Sequence, residues 1–170
     1  GGDVGTYLTH HDDVETIHIT GSGRTHDVIV FGGGEEGQRR KSENRPILAK
    51  SISSELGGIS PTIVVPGPWS IADFKFQAEN IATQKLQNAG HNCIATQVLI
   101  MPEEWIGTEK LLHEVEKTIT NAESRPAYYP GAEDRQNAAR QHPKAKVLDS
   151  GVGRTIIYDV DTHLDEPCFT

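Results

Sequence analysis

Residues 71–88 carry Ile71, Phe74, Ala78, Ile81, Ala82 and Leu86 at helical spacing, between two short apolar runs at residues 62–65 and 94–101. Such a stretch buries one face of a helix, and the short runs on either side read as strands. Ser70 is a suitable N-cap with Asp73 in the first turn, and Gly90 is placed to close the helix. The same alternation runs through the rest of the chain. Residues 14–20 alternate as a half-buried strand ended by Gly21-Ser22-Gly23, and residues 47–54 read as another strand. Leu111, Leu112, Val115 and Ile119 define one face of a helix over 108–121. A further helix is predicted over 133–142, with strands near Val147 and at 155–160. Strands alternating with helices define the α/β class with a largely parallel sheet. Residues 24–31 suit either a helix or, through Val28-Ile29-Val30, a strand. Residues 35–45, charged and aperiodic, are predicted to form a loop.

The chain's 170 residues allow one domain or a tight pair of lobes. A net charge of −8 disfavours nucleic acid as a partner, because no Lys/Arg stripe exists to release counterions. The densest basic cluster, Arg39-Arg40-Lys41, lies among Glu35, Glu36 and Glu43 and reads as solvated. No apolar run is long enough to span a membrane. Cys93 and Cys168 do not form a disulfide framework, and no secretion signal precedes them, so a cytoplasmic protein is expected. The opening at Gly1 and the close at Thr170 read as the ends of an excised segment. Cys168, behind Pro167, is read as incidental. His10-His11-Asp12-Asp13 is not read as a metal site, since consecutive side chains diverge.

Cys93 follows a helix-ending glycine and two polar residues, at the loop-to-strand junction where α/β sheets often display active groups. By itself it is either an inert core thiol or a nucleophile. Glu55, beside Gly57-Gly58, is either a solvent-facing carboxylate or a general base, and is preferred to His91 in that role. Thr20-Gly21-Ser22-Gly23 can aim backbone amides at a phosphate if a helix follows. The full G-x-G-x-x-G pattern is absent, with His26 at its last position.

Together, Ile19-Thr20-Gly21-Ser22, Glu55-Leu56-Gly57-Gly58 with Ser60-Pro61, and Asn88-Ala89-Gly90-His91-Asn92-Cys93 resemble the aldehyde dehydrogenase superfamily. The segments occur in the family's order, and the similarity is densest over residues 1–115. The resemblance implies an aldehyde-dehydrogenase-like catalytic domain. Residues 1–55 would form the C-terminal part of the NAD(P)-binding domain, and 56–170 the N-terminal part of the catalytic domain. It implies NAD or NADP as cofactor, a small-molecule aldehyde as substrate and a homo-oligomeric full-length protein. Cys93 would form a thiohemiacetal and then a thioester, with its backbone N–H as half of the oxyanion hole, and Glu55 would activate the hydrolytic water. Thr20, Gly21 and Ser22 would lie against the nicotinamide and pyrophosphate, and the Leu56 backbone near the carboxamide. Ile59 and His91 depart from the residues common at those positions, Lys or Asn and Gln respectively. Other parts of the family's oxyanion hole and cofactor grip would lie outside these residues, so the chain alone is expected to be inactive. The alternatives are a cofactor-independent thiol acyltransferase or thioesterase, and a non-catalytic module with a buried Cys93.

Overall fold

The computed structural model describes residues 2–148 and 154–160. The chain divides into two compact units, Gly1–Gly58 and Ile59–Thr170. In the first, α1 (Gly2–His10) precedes β1 (Thr16–Gly21), then α2 (Gly23–Phe31), α3 (Gly34–Ser42) and β2 (Ser51–Leu56). β1 and β2 pair in parallel, from Thr16 opposite Ser51 to Gly21 opposite Leu56. Two helices fill the connection, as a parallel pair requires a long crossover. The segment before β2 is tied to α2 because the Ile47 and Leu48 N–H groups both donate to the Val30 carbonyl, at 2.8 and 3.2 Å. Val30 and Leu48 are also buried.

The two readings of residues 24–31 resolve in favour of a helix. Ser22 caps it, its Oγ accepting from the Thr25 N–H at 3.1 Å, and Gly32 ends it with a φ of 89°. Capping and burial of Val30 outweigh the weak strand preference of Val28-Ile29-Val30. The loop expected over 35–45 is instead mostly the helix α3. It has no apolar stripe, so hydrophobic periodicity is blind to it. Its signal is electrostatic: Glu35 and Glu36 sit in the first turn and Arg39, Arg40 and Lys41 in the last, matching the helix dipole. Glu36 pairs with Arg39 at 2.7 Å and Arg40 at 3.2 Å, and Lys41 reaches Asp27 of α2 at 2.6 Å. The basic cluster read as a solvated loop is therefore a paired helical face. Helix α1 was not foreseen either, and none of its residues is buried.

Helix α3 closely approaches the backbone of Gly32, in the linker that follows α2. A Cβ at Gly37 would lie 2.0 Å from the Gly32 carbonyl oxygen, whereas at Gly33 it would meet nothing within 4 Å. Gly37→Ala is therefore expected to destabilise this unit by about 2 kcal/mol, against the usual gain from alanine in a helix. Chemical denaturation of the two variants checks this: Gly33→Ala should leave the midpoint close to that of the parent, and an unchanged midpoint for Gly37→Ala would disprove the close approach.

In the second unit, β3 (Ser60–Ile63) and β4 (Thr96–Ile100) pair in parallel around α4 (Ile71–Leu86). Then come α5 (Thr108–Asn121), α6 (Ala132–Gln141) and the antiparallel pair β5 (Ala145–Val147) and β6 (Thr155–Ile157). The α/β class and its parallel pairing are as expected, with strand limits shifted by a few residues. Phe74, Ala78, Ile81 and Ala82 of α4 pack with Leu111, Val115 and Ile119 of α5 and with Val64 in one core. Trp69, Phe74 and Trp105 stack beside it, with ring centroids 4.8–5.7 Å apart. The N-terminus of α4 carries a reciprocal cap. Ser70 N donates to Asp73 Oδ2 at 2.7 Å and Asp73 N to Ser70 Oγ at 3.3 Å, which holds the Asp73 carboxyl below its ordinary range.

Candidate active site

The first unit gathers most of the candidate residues at one end of its ladder. Thr20 stands directly opposite Glu55, and Gly21 opposite Leu56. Partners in register project to the same side of a sheet, so Thr20 and Glu55 share a face. Both are exposed. His18 lies two residues back on that face, its Nδ1 2.8 Å from Ser53 Oγ and its Nε2 3.4 Å from Thr20 Oγ1. The Gly57 N–H donates to the Gly21 carbonyl at 3.1 Å and carries the pairing past the strand ends.

Just beyond Gly21 the chain enters α2 through the Ser22 cap. No acidic residue occupies the first turn of that helix. No carboxylate of the helix itself therefore offsets the positive end of its dipole, although the Thr25 N–H is taken by Ser22 and Glu55 stands at the end of the adjacent β2. A Cβ at Gly23 would come within 3.9 Å of the Leu56 side chain, so the turn passes close to β2. Thr20, Gly21, Ser22, Glu55 and Leu56 thus lie together at the end of the β1–β2 ladder.

Cys93 belongs to the second unit. Helix α4 ends at Leu86, earlier than a terminal glycine at 90 implied. Asn88, Ala89 and Gly90 then take φ values of 53°, 55° and 81°, three successive residues in the left-handed region. For a residue with a Cβ, such as Ala89, this conformation costs about 1 kcal/mol. Cys93 follows on a turn closed by the Ala95 N–H donating to the Asn92 carbonyl at 3.0 Å. Its own carbonyl accepts from Ser60 Oγ at 3.2 Å. Beyond the exposed Ile94, Ala95 and Thr96 are buried, and Thr96 Oγ1 donates to Gln84 Oε1 at 2.7 Å, anchoring β4 to α4. The turn is held at both ends, yet Cys93 is an exposed free thiol. That exposure disfavours the buried-cysteine alternative.

His91, the other candidate base, points elsewhere. Its ring centroid lies 4.7 Å from those of both Tyr128 and Tyr129, and its Nε2 accepts from the Tyr128 N–H at 3.4 Å. Burial, with Arg135 and Lys85 nearby, lowers its pKa, in keeping with a neutral ring that accepts at Nε2. Tyr128 and Tyr129 belong to no motif or periodic pattern in the sequence. Their contact with the Cys93 turn had no local signal, because they lie far along the chain. Cys168 lies outside the described residues. Among the described residues, no cluster of three or more His, Cys, Asp or Glu is placed to hold a metal ion. Among them, too, no helix is long and apolar enough to cross a membrane.

A parallel-stranded α/β chain with these segments in this order defines a class. The sequence matches the aldehyde dehydrogenase family over residues 1–145, and the chain belongs to that family. It is 33% identical over 104 residues to the D-glyceraldehyde dehydrogenase (NADP(+)) of Thermoplasma acidophilum, a match covering 61% of this chain and 18% of that protein. An aldehyde dehydrogenase of Enchytraeus buchholzi is 30% identical over 95 residues, covering 56% of this chain and 16% of that one. Among solved structures, the NADP-dependent glyceraldehyde-3-phosphate dehydrogenase of Bacillus halodurans, complexed with NADP, superposes with a TM-score of 0.70 at 18% identity. That superposition covers 97% of this chain and 34% of that one. The aldehyde dehydrogenase AldC of Pseudomonas syringae, complexed with NAD+ and octanal, gives 0.69 at 19% identity over 95% and 35% of the two chains. These structural likenesses concern the fold. The matched region spans about a fifth of the length of the curated relatives.

Proposed function

We propose that this chain is the catalytic segment of an NAD(P)+-dependent aldehyde dehydrogenase, with Cys93 as nucleophile and Glu55 as general base. The observation that carries the reading is the exposed Cys93 thiol on an anchored turn at the head of β4, in a chain of this family. The Cys93 thiolate attacks the aldehyde carbon and forms a thiohemiacetal, whose oxyanion the Cys93 backbone N–H helps to stabilise. NAD(P)+, when bound, would supply the acceptor for the hydride that the thiohemiacetal carbon gives up in becoming a thioester. The thioester left on Cys93 is cleaved by water. Glu55 takes the proton from that water, its oxygen adds to the acyl carbon, and the Cys93 thiolate leaves as the carboxylic acid is released.

Thr20, Gly21 and Ser22 would hold the nicotinamide and pyrophosphate, with the Leu56 backbone beside the carboxamide. The helix start at Ser22 and the pairing of Gly21 with Leu56 support this assignment. On this reading residues 1–55 belong to the NAD(P)-binding domain and 56–170 to the catalytic domain. The relatives' names and ligands support an aldehyde substrate and a nicotinamide cofactor. A cytoplasmic location and homo-oligomeric assembly of the full-length protein rest on the resemblance.

Glu55→Gln separates the two halves of the reaction. In the intact protein it should leave a rapid burst of reduced cofactor, close to one per site, and slow steady-state turnover by about 100-fold or more. Rapid-mixing absorbance at 340 nm reads both phases. Unchanged steady-state turnover would remove Glu55 from the mechanism.

A further inference from the structure

The turn carrying Cys93 contains more strain than its own residues account for. Asn88, Ala89 and Gly90 are all left-handed; asparagine and glycine adopt this conformation readily, but the Ala89 side chain disfavours it. Such a run persists where its surroundings over-determine it. The surroundings here come from residues 128 and 129. Asn88 Nδ2 donates to the Tyr128 hydroxyl at 2.9 Å and lies 3.4 Å from Asn92 Oδ1. The Tyr128 backbone N–H donates to His91 Nε2, and the rings of His91, Tyr128 and Tyr129 pack with centroids 4.7, 4.7 and 5.1 Å apart. The turn is thus held by the two tyrosines through Asn88 and His91, and by Ser60 on the Cys93 carbonyl.

We infer that Tyr128 and Tyr129 are positioning residues for Cys93, clamping its turn through Asn88 and His91 so that the thiol is held in one orientation. The inference rests on Cys93 being the nucleophile. The tyrosines meet the turn at Asn88 and His91 and act on Cys93 through them. Their effect is to lower the number of arrangements the turn samples, and orientation of a nucleophile enters directly into the rate of attack. Tyr128 contributes its hydroxyl and its backbone N–H, whereas Tyr129 contributes only its ring. This gives the two positions different tolerances. Phenylalanine should replace Tyr129 without loss but should fail to replace Tyr128.

The test is burst kinetics in the intact protein, combined with hydrogen–deuterium exchange of the amides of residues 91–95. Tyr128→Phe should slow the burst about fivefold at unchanged amplitude, the size expected for one lost hydrogen bond. Tyr129→Ala should slow it to a similar extent, and Tyr129→Phe should restore the parent rate. Both slow variants should speed exchange at 91–95 while exchange in α5 stays unchanged. A merely structural role would instead lower the burst amplitude, as a fraction of molecules misfolds, and would raise exchange throughout the second unit; that result overturns the inference. So does an unchanged burst rate with unchanged exchange in Tyr128→Phe. If Cys93→Ser keeps full dehydrogenase activity, the nucleophile assignment fails, and the exchange measurement still decides separately whether the tyrosines clamp the turn.

Discussion

Cys93→Ala in the intact protein is expected to reduce aldehyde-dependent NAD(P)+ reduction at least about 1000-fold, the scale on which removing a covalent nucleophile acts. Because the side chain is exposed, the same substitution should change stability by less than about 0.5 kcal/mol. This pairing of a large kinetic effect with a negligible thermodynamic one distinguishes a nucleophile from a packing residue. Steady-state assays and thermal denaturation on the same preparation measure both. Retention of half the parent activity would refute the mechanism. A folded Cys93→Ala protein that still binds reduced cofactor would localise the loss to chemistry. The parent 170-residue chain alone is expected to alkylate at Cys93 with iodoacetamide and yet reduce no cofactor.

Leu111→Ala should cost the second unit about 3 kcal/mol. Leu111 is fully buried, and its α5 face packs against Phe74, Ala78, Ile81 and Ala82 of α4. Truncation loses the transfer free energy of three carbons and leaves a cavity that two rigid helices cannot close. Leu111→Met, which nearly conserves volume, should cost less than about 1.5 kcal/mol. Trp69 and Trp105, the chain's 2 tryptophans, both pack against this core, so their fluorescence reports its unfolding directly. An unfolding midpoint for Leu111→Ala equal to that of Leu111→Met would show that this interface does not carry the unit's stability.

How far each element could be read ahead of the structure follows from where its stabilisation arises. Helix α5 has a clean apolar stripe at Leu111, Val115 and Ile119 and runs where its periodicity places it. The start of α4 is equally legible, because Ser70 and Asp73 form a local cap. Its end is not, since Ala89 adopts a left-handed conformation that its own propensity opposes. Helix α3 buries no apolar stripe, and its ion pairs with Glu36 and Asp27 are legible only as charge order. In α2, a β-branched run read locally could be either element until the Ser22 cap and burial of Val30 decided it.

The candidate site divides in the same way. Which groups are available, and in what order, is written along the chain: Thr20-Gly21-Ser22, then Glu55-Leu56, then Cys93. Their chemistry is a property of residue type and does not depend on the fold. The tertiary structure decided what stands beside what. It set Thr20 opposite Glu55 through a strand register spanning two helices, and it exposed Cys93 on an anchored turn. It also brought Tyr128 and Tyr129 onto His91. Those neighbours are chosen by strand pairing and side-chain packing between distant segments, and such contacts leave no mark in the local periodicity of either one.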